Sequence, residues 1–307
     1  MILCCGEALI DMIPVPQPDG STAFAPHAGG AIFNTAIALG RLGVPVGMIS
    51  GISRDAFGQR LVASLAENNV STDHLVRSDL LTTLAIVHLR DGHATYAFYD
   101  EGSAGRMITP DDMPPIPAGT SALYFGGISL VSLPAADSYA DLCQVASKRF
   151  PIMLDPNIRP SFITDAPAYR ARLDRMLANC DIVKVSDEDL AWMTGGAGGL
   201  EAQAAVLQAK GARFVIITRG AEGAMVLADG KVAHAAAQKA VVVDTVGAGD
   251  TFNAGFLAHL QRNGALDKAA LEKMSADDLA EALAFGARVA AVTVSRAGAN
   301  PPWANEL

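Results

Sequence analysis

Residues 244–250, Asp244-Thr245-Val246-Gly247-Ala248-Gly249-Asp250, set two acids six positions apart around a Gly-Ala-Gly triplet. The apolar run AVVVD leads in as a strand or extended segment, and TFNAGFLAHLQ leads out with helical periodicity. Gly247, Ala248 and Gly249 therefore fall at a predicted helix N-terminus. There the first amides lack intrahelical partners and the macrodipole is positive, so small residues let an anion approach several N–H groups. The plain alternative is that Asp250 caps the helix after a glycine turn. One cap needs one acid and one glycine, whereas this segment has two glycines, an alanine and two acids. An anion hole with a carboxylate beside it is what phosphoryl transfer asks of a protein: positioning, charge stabilisation and a proton acceptor.

Outward from this boundary, short β-rich runs (MILCC, VGMISGI, ALYFGG, IMLDPN, DIVKVS, FVIITRG) alternate with helical patterns such as AIFNTAIALGRLG and GQRLVASLAEN. The alternation predicts a three-layer α/β/α sandwich with a mainly parallel central sheet. Two stretches break it. Residues 12–28 are rich in Pro and turn residues, and 82–107 contain two strands around the turn Arg90-Asp91-Gly92-His93. Neither supplies a covering helix, so together they predict a small discontinuous β lid on a core of 1–11, 29–81 and 108–307. The patch TGGAGGLEAQAA reads as a flexible link between helices.

With 307 residues, 50% hydrophobic and 18% charged, the chain is an ordinary globular one. A net charge of −9 argues against nucleic acid or an anionic membrane as partner. Cys4, Cys5, Cys143 and Cys180 form no C-x-x-C pair, and there is neither a signal-peptide pattern nor a run of 18 apolar residues. A cytoplasmic protein is expected.

No Walker A motif, protein-kinase signature or G-x-G-x-x-G fingerprint is present. Instead, DTVGAGDTFNAGF, with GGAIFNTAIALGRLG at 29–43 and GEALIDMI at 6–13, closely resembles the ribokinase-like sugar kinases, the phosphofructokinase-B family. The resemblance runs from Gly6 to the turn at 296–300. It implies Asp250 as catalytic base and the amides of Gly247, Ala248 and Gly249 as the hole for the transferred phosphoryl. It places Asp244, Val246, Thr293 and Gly298 around a monovalent cation, expected to be potassium. The sugar would meet Asp11, Gly29, Gly30 and Asn34. By themselves, Asn34 also reads as a helix-start residue and Asp11 as a strand-end turn acid.

DPNIRPSF resembles the Asp-Pro-Asn-x-Arg motif of fructokinases, which brings Asn157 and Arg159 to the sugar; a surface arginine is the alternative. KVSDEDL stands where the family has Asn-x-x-Glu for magnesium, but the matching residues are the shorter Ser186 and Asp189, which read equally as a helix N-cap with acids behind it. Lys184, Ser186, Thr218, Arg219, Gly220, Gly223, Gly249, Asn253, Ala299 and Asn300 would form the ATP site, with Asp189 reaching Mg2+ through water. From the lid, Tyr96 and Phe98 would cover the sugar, and a homodimer is expected through the lid edges. Arg106 follows Ala104-Gly105, where fructokinases often carry Ala-Asp-Arg. The resemblance thus implies ATP-dependent phosphorylation of D-fructose at its 6-hydroxyl. A 2-keto-3-deoxygluconate kinase is the rival, since Arg106 and Arg159 suit a carboxylate, and a non-catalytic sugar-binding regulator is the reading outside enzymes.

Overall fold

The computed structural model describes residues 1–90 and 93–307. Its main sheet has nine strands in the spatial order Lys231–Ala235, Ala224–Ala228, Phe214–Thr218, Ile182–Ser186, Ile152–Asp155, Ala122–Gly126, Ile2–Cys5, Val46–Ile49 and Val70–Ser71. Neighbours from Phe214–Thr218 to Val70–Ser71 are parallel, and the first two strands add an antiparallel edge.

Alternation along each strand feeds two cores. Ile2 and Cys4 pack with Phe33, Phe256 and Leu283 under helices Ala31–Arg41, Ala248–Arg262 and Ala276–Val294. Leu3 and Cys5 pack on the other face with Tyr139, Leu173 and Leu207, from helices Ala135–Ala146, Ala166–Leu177 and Leu200–Ala209. This is the expected three-layer sandwich, and burial on both faces explains why runs such as FVIIT are continuously apolar.

Strand order reverses at Ile2–Cys5: the chain first adds Val46–Ile49 and Val70–Ser71 on one side, then builds the remaining strands on the other. The crevice beyond the carboxyl ends at such a reversal is where open α/β sheets bind ligands. Glu7, Ile128, Asp155 and Asn157 all follow or end strands at that rim.

A second sheet has the order Thr22–Gly29, Leu9–Pro16, Leu84–Arg90, His93–Tyr99. Pro26 lies on its edge strand, where a missing amide donor is tolerated. Arg90 pairs with His93, while Asp91 and Gly92 of the expected turn lie outside the described residues. Asp11 is not a strand-end acid: it lies inside Leu9–Pro16, opposite His27.

Two local expectations change. Residues 240–246 form no strand, because the amides of Val243 and Asp244 both turn to the carbonyl of Val294 at the end of a helix. Of the glycine-rich patch, only 195–199 form the link; Gly195 closes helix Asp187–Thr194 in the left-handed region and Leu200–Ala209 is helical.

Candidate active site

Helix Ala248–Arg262 has Gly247 as its N-cap, at φ 78°. A Cβ there would stand 2.6 Å from the Ala299 Cβ, so both backbone conformation and space require glycine. Asp250 is therefore not the cap. It sits in the first turn, 8% exposed, and its Oδ2 accepts the Asn34 side-chain N–H at 2.9 Å. Thr35 donates to the Asp250 carbonyl at 3.1 Å. Burial pushes the Asp250 carboxyl up to about 7; the Asn34 hydrogen bond and Lys184 pull it down, while Asp155 and Glu7 push it further up. A carboxylate balanced near neutrality is a competent proton acceptor at neutral pH.

The expected trio of amides is modified. Ala248 N–H donates to the Thr245 carbonyl at 3.2 Å, whereas among the described residues the amides of Gly247, Gly249 and Asp250 carry no intramolecular hydrogen bond. The free donors thus flank Ala248 rather than include it.

Two cavities meet at this helix start. One, of about 350 Å³, is strongly polar: Glu7, Asp11, Asn34, Asp155, Asn157, Arg159, Lys184 and Asp250 line it, with Gly30, Tyr96, Phe98 and Val246. Burial lifts Asp11 to about 6. Gly29 backs Asp11 so closely that a Cβ would collide with the carboxylate. Phe98 packs edge-on against Phe162 at 4.5 Å between ring centroids, which closes one wall. Asn157 holds φ 44° while its amide donates to Asp155 Oδ1 at 3.1 Å.

The other cavity, about 550 Å³, is lined mostly by small and apolar side chains, among them Ala221, Ala237, Val242, Phe252, Ala287 and Val294, with Thr218, Gly220 and Gly223. Thr245, Ala248 and Gly249 belong to both cavities. A flat aromatic ligand fits the apolar cleft and a polyol the polar one, with the free amides between them.

Several expected contacts fall elsewhere. Arg106 does not line the polar cavity: it pairs with Asp100 at 3.1 Å, donates to the Leu133 carbonyl and faces a neighbouring cavity beyond Phe98 and Phe162. Asn253 does not line the apolar cleft, because one helical turn after Asp250 it points into the core and donates to Asp155 and Tyr124. Arg219 pairs with Glu222, Asn300 accepts from Arg41, and Ala299 packs on Gly247, so none of the three lines that cleft. Lys184 faces the polar cavity and not the apolar one.

Ser186 is the N-cap of Asp187–Thr194, accepting the Asp189 amide at 3.0 Å. Asp189 is 8% exposed, is raised by burial, and accepts the Ile158 amide. Asp244 accepts the amides of Val246 and Gly298, one on each oxygen. The carbonyls of Thr293 and Gly298 accept the amides of Arg296 and Asn300. Among the described residues, no group of three His, Cys, Asp or Glu side chains is placed to hold a metal.

Glu7 and Asp155 are site residues that the sequence did not single out. Both lie in stretches quoted above, GEALIDMI and DPNIRPSF. Glu7, 8% exposed, accepts the amides of Ala31 and Ser129 and is raised by burial. It thereby fixes the start of helix Ala31–Arg41, which has no side-chain cap of its own.

The sequence pattern of the pfkB family carbohydrate kinases matches residues 1–306. A fructokinase of Rhizobium leguminosarum bv. trifolii is 50% identical over 268 residues, covering 87% of this chain and 82% of the relative. A fructokinase of Klebsiella pneumoniae is 32% identical over 305 residues, covering 98% and 96%. The crystal structure of a fructokinase from Xylella fastidiosa with bound ATP superimposes with a TM-score of 0.89 at 30% identity, covering 97% of this chain and 93% of that one. The helix start that carries Asp250, the two cavities that share it and the match from end to end lead to one conclusion: the chain belongs to the pfkB family of carbohydrate kinases, phosphotransferases that act on a sugar hydroxyl.

Proposed function

We propose that the protein is an ATP-dependent fructokinase, transferring the γ-phosphoryl group to the 6-hydroxyl of D-fructose. One observation carries the geometry: the polar and apolar cavities meet at the start of Ala248–Arg262, and only the polar one contains Asp250. Sugar hydroxyls would pair with Asp11, Asn34, Asn157 and Arg159; the nucleotide would occupy the apolar cleft beside Thr218, Gly220 and Gly223. Asp250 takes the hydroxyl proton as the oxygen attacks phosphorus in line, and the amides of Gly249 and Asp250 hold the equatorial charge. Fructose is favoured over an acidic sugar by the relatives' activity and by the withdrawal of Arg106 to Asp100, which leaves in the polar cavity Arg159 and a Lys184 already paired with Asp155.

Asp189, nearly buried, already accepting an amide and lining neither cavity, would reach a magnesium ion on the ATP phosphates only through water. Asp244 closes its loop through two amides and would lend its charge to a potassium ion held by neighbouring carbonyls. The four-stranded sheet, which brings Tyr96 and Phe98 to the polar cavity, acts as a lid and, through exposed Ile13, Val15 and Phe24, as a homodimer surface. A cytoplasmic setting fits four buried free cysteines; no described helix is long and apolar enough to cross a membrane.

The test is coupled ADP release with MgATP and potassium, offering fructose, 2-keto-3-deoxygluconate, ribose and adenosine in parallel. The highest kcat/KM for fructose supports the reading. Preference for the keto acid reassigns Arg159 to a carboxylate, and absence of turnover with all four removes the kinase reading in favour of a sugar-binding regulator.

A further inference from the structure

We infer that Asp155 is a positioning residue for phosphoryl transfer: it fixes the Lys184 ammonium at the seam of the two cavities, under the amides that begin Ala248–Arg262. This deepens the kinase reading and rests on it. Asp155 ends strand Ile152–Asp155, and the parallel register Met153–Ile182, Leu154–Val183 continues to Asp155 beside Lys184. The pair is 2.9 Å apart, with side chains 2% and 6% exposed.

The ammonium has a definite place. A Cβ on Gly249 would stand 3.2 Å from Lys184 Nζ, so the cation lies directly against the helix start. Asp155 takes one of its three donors, and among the described residues no other hydrogen bond from Nζ is formed. The remaining donors are available to an anion held by the Gly249 and Asp250 amides.

The carboxylate is itself clamped. Its Oδ2 also accepts Asn253 Nδ2 at 2.7 Å, and its Oδ1 accepts the Asn157 amide at 3.1 Å. Asn253 reaches Tyr124 with the same amide nitrogen, at 2.9 Å, and leaves its own Oδ1 buried without a partner. An unsatisfied buried acceptor is costly, and here the amide is turned so that its donors hold Asp155.

A buried ion pair is often no more stable than an apolar replacement of similar volume, so stability alone gives little reason for one at this spot. Preorganisation does. A lysine is a point charge on a flexible four-carbon stem, and a fixed partner keeps it where charge develops on the transferred group. The same arrangement acts on Asp250, which faces Lys184, Asp155 and Glu7 on neighbouring strand ends, Asn34 on helix Ala31–Arg41, and Asp11 and Arg159 across the cavity. Asp155 raises the Asp250 carboxyl and Lys184 lowers it.

The experiment measures kcat, both KM values and the pH profile of kcat/KM for Asp155→Asn, Lys184→Met and the double variant, with wild-type turnover of fructose as control. Asp155→Asn is expected to lower kcat about 10- to 100-fold with KM values within about threefold, a loss of positioning rather than of binding. Its acid limb moves to lower pH, and that of Lys184→Met to higher pH. The double variant, whose pair becomes neutral, folds and is no slower than Lys184→Met alone. Unchanged kcat in Asp155→Asn overturns the inference, as do additive losses in the double variant, or an acid limb that stays in place in both single variants while kcat falls. Absence of wild-type turnover with any acceptor contradicts the kinase reading itself, a separate failure.

Discussion

The two cavities that meet at Gly249 are built on opposite plans. The polar side presents charged and amide side chains from five separate segments, and several are held by further partners: Glu7 by two amides, Asp155 by Lys184 and Asn253, Asp250 by Asn34. The apolar side presents mostly alanine, valine and glycine. Polar groups held in place discriminate strongly, because a missing partner strands a buried donor or acceptor, whereas an apolar wall loses only contact area. Single substitutions should therefore be severe on one side of the helix start and mild on the other.

The largest effect is expected at Asp250. Asp250→Asn removes the proton acceptor and should lower kcat by about 10²–10⁴-fold, with ATP affinity unchanged or tighter as measured by calorimetry. A variant that keeps a tenth of the wild-type kcat would break the comparison at its centre. Next comes Asp11→Asn, which weakens charge-assisted hydrogen bonds to the sugar and should raise the sugar KM by about 10- to 100-fold, leaving the ATP KM alone. A parallel rise in both constants would mean that the two cavities are not separable.

Asp250→Asn should also make the protein more stable at neutral pH. The folded-state value of Asp250, about 7, lies above the unfolded value of 3.8, so the ionised form is disfavoured by folding. That penalty is absent below the unfolded value, grows as pH rises through the window, and is fully present above about 7. Thermal unfolding of the two proteins should accordingly converge below about pH 3.8, separate progressively up to about 7 and differ by a constant amount above it. The smallest effect belongs to the apolar cleft: Val242, 62% exposed, changed to Ala should raise the ATP KM only about two- to fivefold. A loss as large as that at Asp11 would erase the contrast.

The same contrast governs what could be read from residues alone. The helix start at Ala248 was legible because its signals are local: glycine punctuation, then apolar periodicity. The layer order followed from alternation in the same way. The part played by Asp155 is not local, because it comes from a strand neighbour about thirty residues later in the chain, through sheet register. The placement of Arg106 is not legible in the sequence, because Asp100 and the Leu133 carbonyl, which hold it, are brought together only by the fold. Asn253 carried a usable signal, since a residue three after Asp250 lies on nearly the same face of the helix and one turn deeper. The cap reading of Asp250 failed by three residues, because Gly247 takes the left-handed position where the helix starts.

The most direct measurement is the pH dependence of kcat/KM for fructose at saturating MgATP in the wild-type protein. A base held at about 7 and a sugar-binding carboxylate at about 6 predict a fall of tenfold per unit just below neutrality, steepening below pH 6 as Asp11 also takes a proton. A rate that stays flat down to pH 5 would contradict the assignment of Asp250 as the group that receives the proton.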